Sequence, residues 1–113
     1  MANEMQNLIS EYVAAVKKIY GEHLKQVILY GSYARGDYTK DSDVDIMLLV
    51  DLDETELDNF SDALSELGFD YNVEYDIWMM PIVKNKKTFL HWSDVYPFYK
   101  NVKTEGISLY EAA

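Results

Sequence analysis

Two short apolar runs separated by a long polar segment are the feature that most constrains the fold of this chain. Residues 26–30 (QVILY) and 44–50 (VDIMLLV) have the length and the aliphatic content of buried strands. The segment between them, 31–43 (GSYARGDYTKDSD), is rich in Gly, Ser, Asp and Thr and is predicted to be a loop. The two runs therefore predict neighbouring elements of a small β-sheet.

Two amphipathic segments predict helices that cover this sheet. Residues 5–20 repeat apolar side chains at three- and four-residue spacing, with Gly21 as the predicted end. Residues 54–67 have a second apolar face of the same kind. Asp53 is the predicted N-cap of that helix and Gly68 the predicted residue after its end.

The remaining elements complete a single domain. Residues 72–80 (NVEYDIWMM) predict a third strand that Pro81 closes, and a last helix is expected over roughly 95–104, with an extended piece after it. The order α-β-β-α-β-α predicts one α/β domain over residues 1–113 with at least three strands.

Composition excludes several classes of function. The 113 residues include 20 acidic and 10 basic side chains, a formal charge of −10, and no cysteine. The absence of cysteine rules out disulfides, thiolate zinc sites and a cysteine nucleophile. No apolar run approaches the ~20 residues of a membrane span, and the polar start does not resemble a signal peptide. We therefore expect a cytoplasmic protein with no membrane contact, and the negative charge disfavours nucleic acid as a direct substrate.

Carboxylates at the ends of predicted strands suggest metal chemistry. Asp43 and Asp45 lie two residues apart at the start of the second strand, so their side chains point to the same face. Such a pair offers hard oxygen ligands suited to Mg²⁺. Asp76 supplies a third carboxylate if its predicted strand lies beside the second. Three acids around two magnesium ions are typical of phosphoryl or nucleotidyl transfer.

A predicted phosphate-binding turn precedes these carboxylates. Gly31 and Ser32 directly follow the first strand, where exposed backbone N–H groups and a hydroxyl suit phosphate oxygens. Arg35, the only arginine of the chain, offers a permanently charged fork for a polyphosphate, although a surface ion pair with Asp37 is the alternative. The sequence thus predicts nucleotide binding at Gly31, Ser32 and Arg35.

The segment GSYARGDYTKDSDVD, Gly-Ser followed by ten residues and then Asp-x-Asp, resembles the signature of the DNA polymerase β-like nucleotidyltransferases. The resemblance is closest to the minimal nucleotidyltransferases, and the tail FYKNVKTEGISLYE is also similar to the end of those proteins. It implies the nucleotidyltransferase fold, a small mixed β-sheet with flanking helices. It also implies that Asp43 and Asp45 are metal ligands and that Asp76 is the third catalytic acid, which activates the acceptor hydroxyl.

The resemblance further implies a partner. Minimal nucleotidyltransferases are commonly encoded beside a HEPN-domain ribonuclease toxin and act as its antitoxin, transferring AMP from ATP to a toxin tyrosine with Mg²⁺. Two alternatives remain open. A non-catalytic antitoxin that masks its toxin would not require Asp76, and a small-molecule nucleotidyltransferase of the aminoglycoside type usually has an additional helical domain that 113 residues cannot hold.

Overall fold

The computed structural model describes residues 3–113, in which helices and strands alternate except for two consecutive helices before the last strand. The helices are α1 (Asn3–Tyr20), α2 (Ser32–Arg35), α3 (Glu54–Tyr75), α4 (Lys86–Trp92) and α5 (Pro97–Glu105). The strands are β1 (Leu24–Tyr30), β2 (Val44–Val50), β3 (Met79–Asn85) and β4 (Ile107–Glu111). No helix among these residues is long and apolar enough to cross a membrane.

The strands form one mixed sheet in the order β3-β2-β1-β4. The two central strands, β1 and β2, run antiparallel, and β4 pairs antiparallel with β1. Strand β3 pairs parallel with β2 and lies at the edge of the sheet. The terminal extended piece expected from the sequence is therefore a fourth strand, and the predicted mixed α/β architecture is confirmed.

Alternate side chains of β2 enter two different apolar layers. Ile46 and Leu48 pack on the side of α1 and α3, whereas Met47 and Leu49 pack with residues of α4 and α5. Asp45 points the same way as Met47 and Leu49, because side chains two apart on a strand share a face. The candidate carboxylate thus lies on the side of the sheet that carries α5.

Helix α3 is longer than the sequence predicted. The backbone at Gly68 is not left-handed, so the helix continues through it to Tyr75. Tyr71 extends the apolar face and packs edge-on against Tyr12, with ring centroids 5.5 Å apart. Asp76 ends the helix in a left-handed conformation with φ 55°. The predicted end at Gly68 is wrong because the buried contact of Tyr71 outweighs the helix-breaking tendency of one glycine.

The third strand therefore begins later than predicted. The prediction placed it at residues 72–80 and closed it at Pro81, whereas β3 is Met79–Asn85 with Pro81 inside it. Proline has no N–H group to donate, but an edge strand such as β3 tolerates it when that position faces away from the neighbouring strand. In the C-terminal region, α5 confirms the helix expected over roughly 95–104, whereas α4 is an additional helix that was not predicted.

Candidate active site

The chain leaves β1 through a tight turn at Gly31, and Ser32 begins the single helical turn α2. Gly31 has φ 73° and ψ −153°, a conformation open almost only to glycine. The amide of Arg35 donates to the Gly31 carbonyl oxygen over 3.1 Å. Earlier amides of a helical turn have no acceptor within it. The turn thus presents backbone donors directly after the strand.

Gly31 lies directly against the carboxylate of Asp45. A β-carbon built on Gly31 would overlap Asp45 Oδ2 and lie 3.1 Å from its Cγ. The sheet register produces this contact, because Asp45 stands opposite Tyr30 in the antiparallel β1–β2 pair and Gly31 is the next residue. A glycine at this position lets the backbone of the turn and the carboxylate approach the same ligand.

The charges of the site act on Asp45. Its carboxyl is half-buried, and this burial, followed by the neighbouring Asp43 carboxylate, raises the pKa of Asp45, while Arg35 lowers it. Asp43 and Arg35 therefore act on the Asp45 carboxyl in opposite directions. Burial and then the Asp45 charge raise the pKa of Tyr30 to about 12. The site therefore concentrates negative charge that a cation would offset.

The loop between α2 and β2 is held by its own side chains. Arg35 Nε donates to Asp37 Oδ2 over 3.3 Å, which is the surface ion pair considered as the alternative for this residue. Ser42 Oγ accepts from the Thr39 amide over 2.8 Å, and the Ser42 amide donates to the Thr39 carbonyl oxygen over 3.1 Å. Both Arg35 and Asp37 are exposed, so the pair is weak and Arg35 is free to contact an anion.

Asp76 does not stand where the sequence predicted it. It is exposed and caps the C-terminus of α3, three residues before β3 begins. Within residues 3–113, no three His, Cys, Asp or Glu side chains form a group that could hold a metal ion. The predicted three-carboxylate cluster is therefore not assembled, because the segment expected to be a strand at residues 72–75 is helical.

A methionine occupies the strand position beside the carboxylate pair. Met80 of β3 is the register partner of Asp45 in the parallel β2–β3 pair, and the Val44 amide donates to the Trp78 carbonyl oxygen over 2.8 Å. Directly paired residues of neighbouring strands point to the same face. The side chain beside Asp45 on β3 is thus apolar, and the cluster keeps two acids.

A cavity of about 340 Å³ opens at the Gly31 turn. One wall carries Ser32, Arg35 and Asp45, three of the site residues predicted from the sequence. The other wall comes from α5 and was not predicted; its residues are Phe98, Asn101, Val102 and Glu105. Three of these, Phe98, Asn101 and Glu105, follow one another at three- and four-residue spacing, which places them on one helix face.

The sequence contained part of the signal for this second wall. Pro97 at the start of α5 marks a helix beginning, and the spacing of Phe98 and Asn101 indicates a shared face. Nothing local indicates that this face turns towards Gly31. That placement depends on Val102, which is buried against the sheet beside Ile28 and Met47.

Comparison with known proteins gives the same fold and a family. The nucleotidyltransferase domain family matches residues 9–106. A Methanocaldococcus jannaschii protein named "Putative protein adenylyltransferase" is 38% identical over 108 residues, covering 93% of this chain and 97% of the relative. A second M. jannaschii protein of that name is 36% identical over 85 residues, covering 74% of this chain and 82% of the relative.

Solved structures agree with the fold. A nucleotidyltransferase structure from Sulfolobus solfataricus superposes with a TM-score of 0.59 at 19% identity, covering 96% of this chain and 81% of the other. The structure of a toxin–antitoxin with AMP-PNP gives 0.56 at 20% identity, covering 91% and 73%. The predicted nucleotidyltransferase fold is therefore confirmed. The chain is a nucleotidyltransferase, a member of the nucleotidyltransferase domain family.

Proposed function

We propose that this chain transfers AMP from ATP to a hydroxyl group of a partner protein and serves as the antitoxin of that partner. The proposal depends on one observation, the contact between the Gly31 turn and the Asp45 carboxylate at the mouth of one cavity. Relatives named protein adenylyltransferase support the reaction. A toxin–antitoxin of the same fold, with AMP-PNP, supports the nucleotide and the kind of partner.

The cavity matches the parts of a nucleoside triphosphate. Backbone donors at Gly31 and the hydroxyl of Ser32 suit the phosphates, and Arg35 adds a positive charge on the same wall. Phe98 stands on the opposite wall, 5.6 Å from Tyr30 between ring centroids. Its exposed ring offers a face on which a nucleobase stacks.

Two carboxylates fit the needs of magnesium when the nucleotide supplies the remaining oxygens. Mg²⁺ in such sites takes one or two carboxylates together with substrate phosphates and water. Asp43 and Asp45 would hold it, and its role when bound is to offset phosphate charge. Asp76 caps the C-terminal end of α3 and does not lie in a strand. We therefore propose only Asp43 and Asp45 as the metal ligands.

The chemistry is an in-line substitution at phosphorus. The acceptor oxygen forms a bond to the α-phosphorus of ATP, and the bond from that phosphorus to the oxygen bridging to the β-phosphate breaks. The acceptor proton passes to solvent, and pyrophosphate leaves. Arg35 stabilises the charge that develops on the phosphates, while the Gly31 turn fixes their orientation.

A tyrosine of a HEPN-domain ribonuclease toxin is the acceptor that we propose. A phenol has an ordinary pKa of about 10 and releases its proton more easily than an aliphatic hydroxyl. Such an acceptor suits a site in which the residue beside Asp45 on β3 is Met80 and not a carboxylate. We propose that a second protein presents this acceptor, which the relatives named protein adenylyltransferase support.

One observation favours a second function, a non-catalytic antitoxin that masks its toxin. Met80 stands beside Asp45 where a catalytic carboxylate was expected. Masking requires neither a metal nor an acid at this position. The two functions are separated by the double substitution Asp43→Ala with Asp45→Ala, which removes transfer and leaves masking intact.

The experiment incubates the chain with ATP labelled at the α-phosphate, Mg²⁺ and the protein encoded by the neighbouring gene. The proposal expects label on that protein, and its loss on chelation of the metal or in the double alanine variant. Label at the γ-phosphate should remain in the released pyrophosphate. Protection from toxicity that survives the double substitution, with no label on the partner, would establish masking instead.

A further inference from the structure

An apolar groove runs between helix α3 and the edge strand β3. Its volume is about 540 Å³, and its walls include Leu64, Phe69, Trp78, Met80 and Pro81. Phe69 is 66% exposed, Trp78 58% and Met80 45%, although all three are large apolar side chains. A contiguous apolar surface of this kind on a small domain indicates a binding site.

The groove lies on the α3 side of the sheet, along the strand next to the one that carries Asp45. Met80 is the register partner of Asp45, and the Trp78 carbonyl oxygen accepts from Val44, the residue between the two carboxylates. Trp78 and Met80 therefore border both the groove and the carboxylate pair. A partner that occupies the groove and reaches past the edge of β3 would approach Asp43 and Asp45, which lie one strand away.

The charge around the groove is one-sided. Helix α3 carries seven acidic residues and no basic residue. Ser65 and Phe69 of α3 line the groove. Asp58 and Asp62 precede them at helical spacing, so these two acids lie on the same face of the helix. None of the α3 carboxylates forms an ion pair within residues 3–113. An occupant with lysine or arginine beside its apolar side chains matches this surface.

Two other occupants fit less well. A second copy of this chain would bring a net charge of −10 and another acidic α3 to the same place, where like charges repel. Addition of a strand at the β3 edge is hindered by Pro81, which has no N–H group to donate in the middle of that strand. The occupant therefore binds through its side chains.

We propose that this groove holds a basic, apolar segment of the acceptor protein and so brings the acceptor hydroxyl to Asp43 and Asp45. This inference rests on the proposed function, because it names the surface by which the protein substrate is held. The segment is recognised through its side chains: its apolar side chains pack against Phe69 and Trp78, and its basic side chains face the acidic residues of α3.

The test measures binding of the protein encoded by the neighbouring gene by titration calorimetry. Phe69→Ser removes the most exposed anchor, and Asp62→Lys reverses a charge on the same helix stripe. Each has a matched control: Val95→Ser, at a residue 62% exposed in the α4–α5 connection, and Glu4→Lys on α1 with the same change in net charge. We expect each groove variant to weaken binding at least tenfold, while both controls stay within twofold and affinity for an ATP analogue is unchanged in all four.

Three outcomes would overturn the inference. Groove variants that bind the partner as tightly as their controls would show that the partner docks elsewhere. A wild-type chain that binds none of this protein would remove the proposed substrate. A dimer of the wild-type chain that Phe69→Ser converts to a monomer would assign the groove to a second copy.

A parallel labelling arm separates this inference from the proposed function. Partner that binds through the groove but takes no label from ATP supports the docking surface and contradicts transfer. Partner that is labelled equally by wild type and by both groove variants, with unchanged KM for the partner, supports transfer and contradicts the docking surface. If the chain both transfers AMP and binds the partner through the groove, we expect the groove variants to raise the KM for the partner at least tenfold with little change in kcat.

Discussion

Gly31 and Asp45 touch across the β1–β2 pair, and their contact leaves no room for a side chain at residue 31. The contact joins the two halves of the candidate site, because the turn donates backbone N–H groups and the strand supplies the carboxylate. Each half comes from a different element, so the arrangement depends on the sheet register as much as on the motif itself. Substitutions at the turn therefore test the site more directly than substitutions in the loop that follows.

Gly31→Ala should abolish nucleotide binding at the site. The added β-carbon would overlap Asp45 Oδ2, and φ 73° is unfavourable for alanine, at a cost of about 1–3 kcal/mol. Gly36→Ala is the matched control, since Gly36 also has a positive φ of 85° but open space around it. We expect both variants to lose stability in thermal unfolding. Only Gly31→Ala should lose binding of an ATP analogue, and equal binding by the two variants would contradict the role of the turn.

Phe98→Ala should weaken nucleotide binding without unfolding the chain. Phe98 is exposed on the cavity wall opposite Ser32, and loss of base stacking costs roughly 1–3 kcal/mol. The corresponding rise in the dissociation constant of an ATP analogue is about 5- to 150-fold. Tyr96→Ala is the control, because Tyr96 is an exposed aromatic residue just before α5 that does not line the cavity. An unchanged dissociation constant in Phe98→Ala would remove this residue from the nucleotide site.

Tyr12→Phe should stabilise the fold. The Tyr12 side chain is buried in the core, and its hydroxyl has no hydrogen-bond partner within the described residues. An unpaired buried hydroxyl is unfavourable, so its removal should raise the free energy of unfolding by on the order of 1 kcal/mol while the edge contact with Tyr71 remains. Tyr20→Phe is the control, since the Tyr20 hydroxyl is not a buried group without a hydrogen-bond partner. A loss of stability in Tyr12→Phe in urea titrations would mean that the hydroxyl is satisfied.

The stability of the chain should fall above pH 10, and Tyr12 should contribute to the fall. Burial, then the neighbouring Tyr20 and Tyr71, raise the pKa of Tyr12 well above the ordinary value of 10.0. Above pH 10 the unfolded chain releases this proton while the folded chain keeps it, so rising pH favours unfolding. The contribution of protonated Tyr12 to the free energy of unfolding is complete below pH 10. Above that pH it falls by at most about 1.4 kcal/mol per pH unit. Urea titrations between pH 9 and 11 should show a shallower slope for Tyr12→Phe, and parallel slopes would contradict the burial effect.

The sequence predicted the parts of the site that lie within one local pattern. The turn at Gly31 after β1 and the strand position of Asp45 follow from the glycine and from the alternation of side chains over a few residues. The same reasoning placed apolar residues of β2 in the core, since a run such as VDIMLLV is buried on both faces. These features depend on neighbours in the sequence, which is why they were accessible.

Other features depend on contacts between distant segments. Gly68 ends a helix in isolation, but packing of Tyr71 against Tyr12 carries α3 past it. That extension moves Asp76 out of the sheet and starts β3 only at Met79. The face of α5 that carries Phe98 is directed to the cavity by burial of Val102. The spacing of apolar residues within a short segment of sequence does not indicate contacts between distant segments.

The most direct test of the account is the rate of AMP transfer from α-labelled ATP to the protein encoded by the neighbouring gene, measured for Asp43→Asn, Asp45→Asn and Asp76→Asn. The carboxylates of Asp43 and Asp45, at the start of β2, are proposed to hold the metal and the phosphates, while Asp76 lies at the C-terminal end of α3. We predict that Asp43→Asn and Asp45→Asn lower the rate at least 100-fold and that Asp76→Asn stays within threefold of wild type. Full activity in Asp45→Asn, or a loss in Asp76→Asn as large as that in Asp45→Asn, would contradict the account.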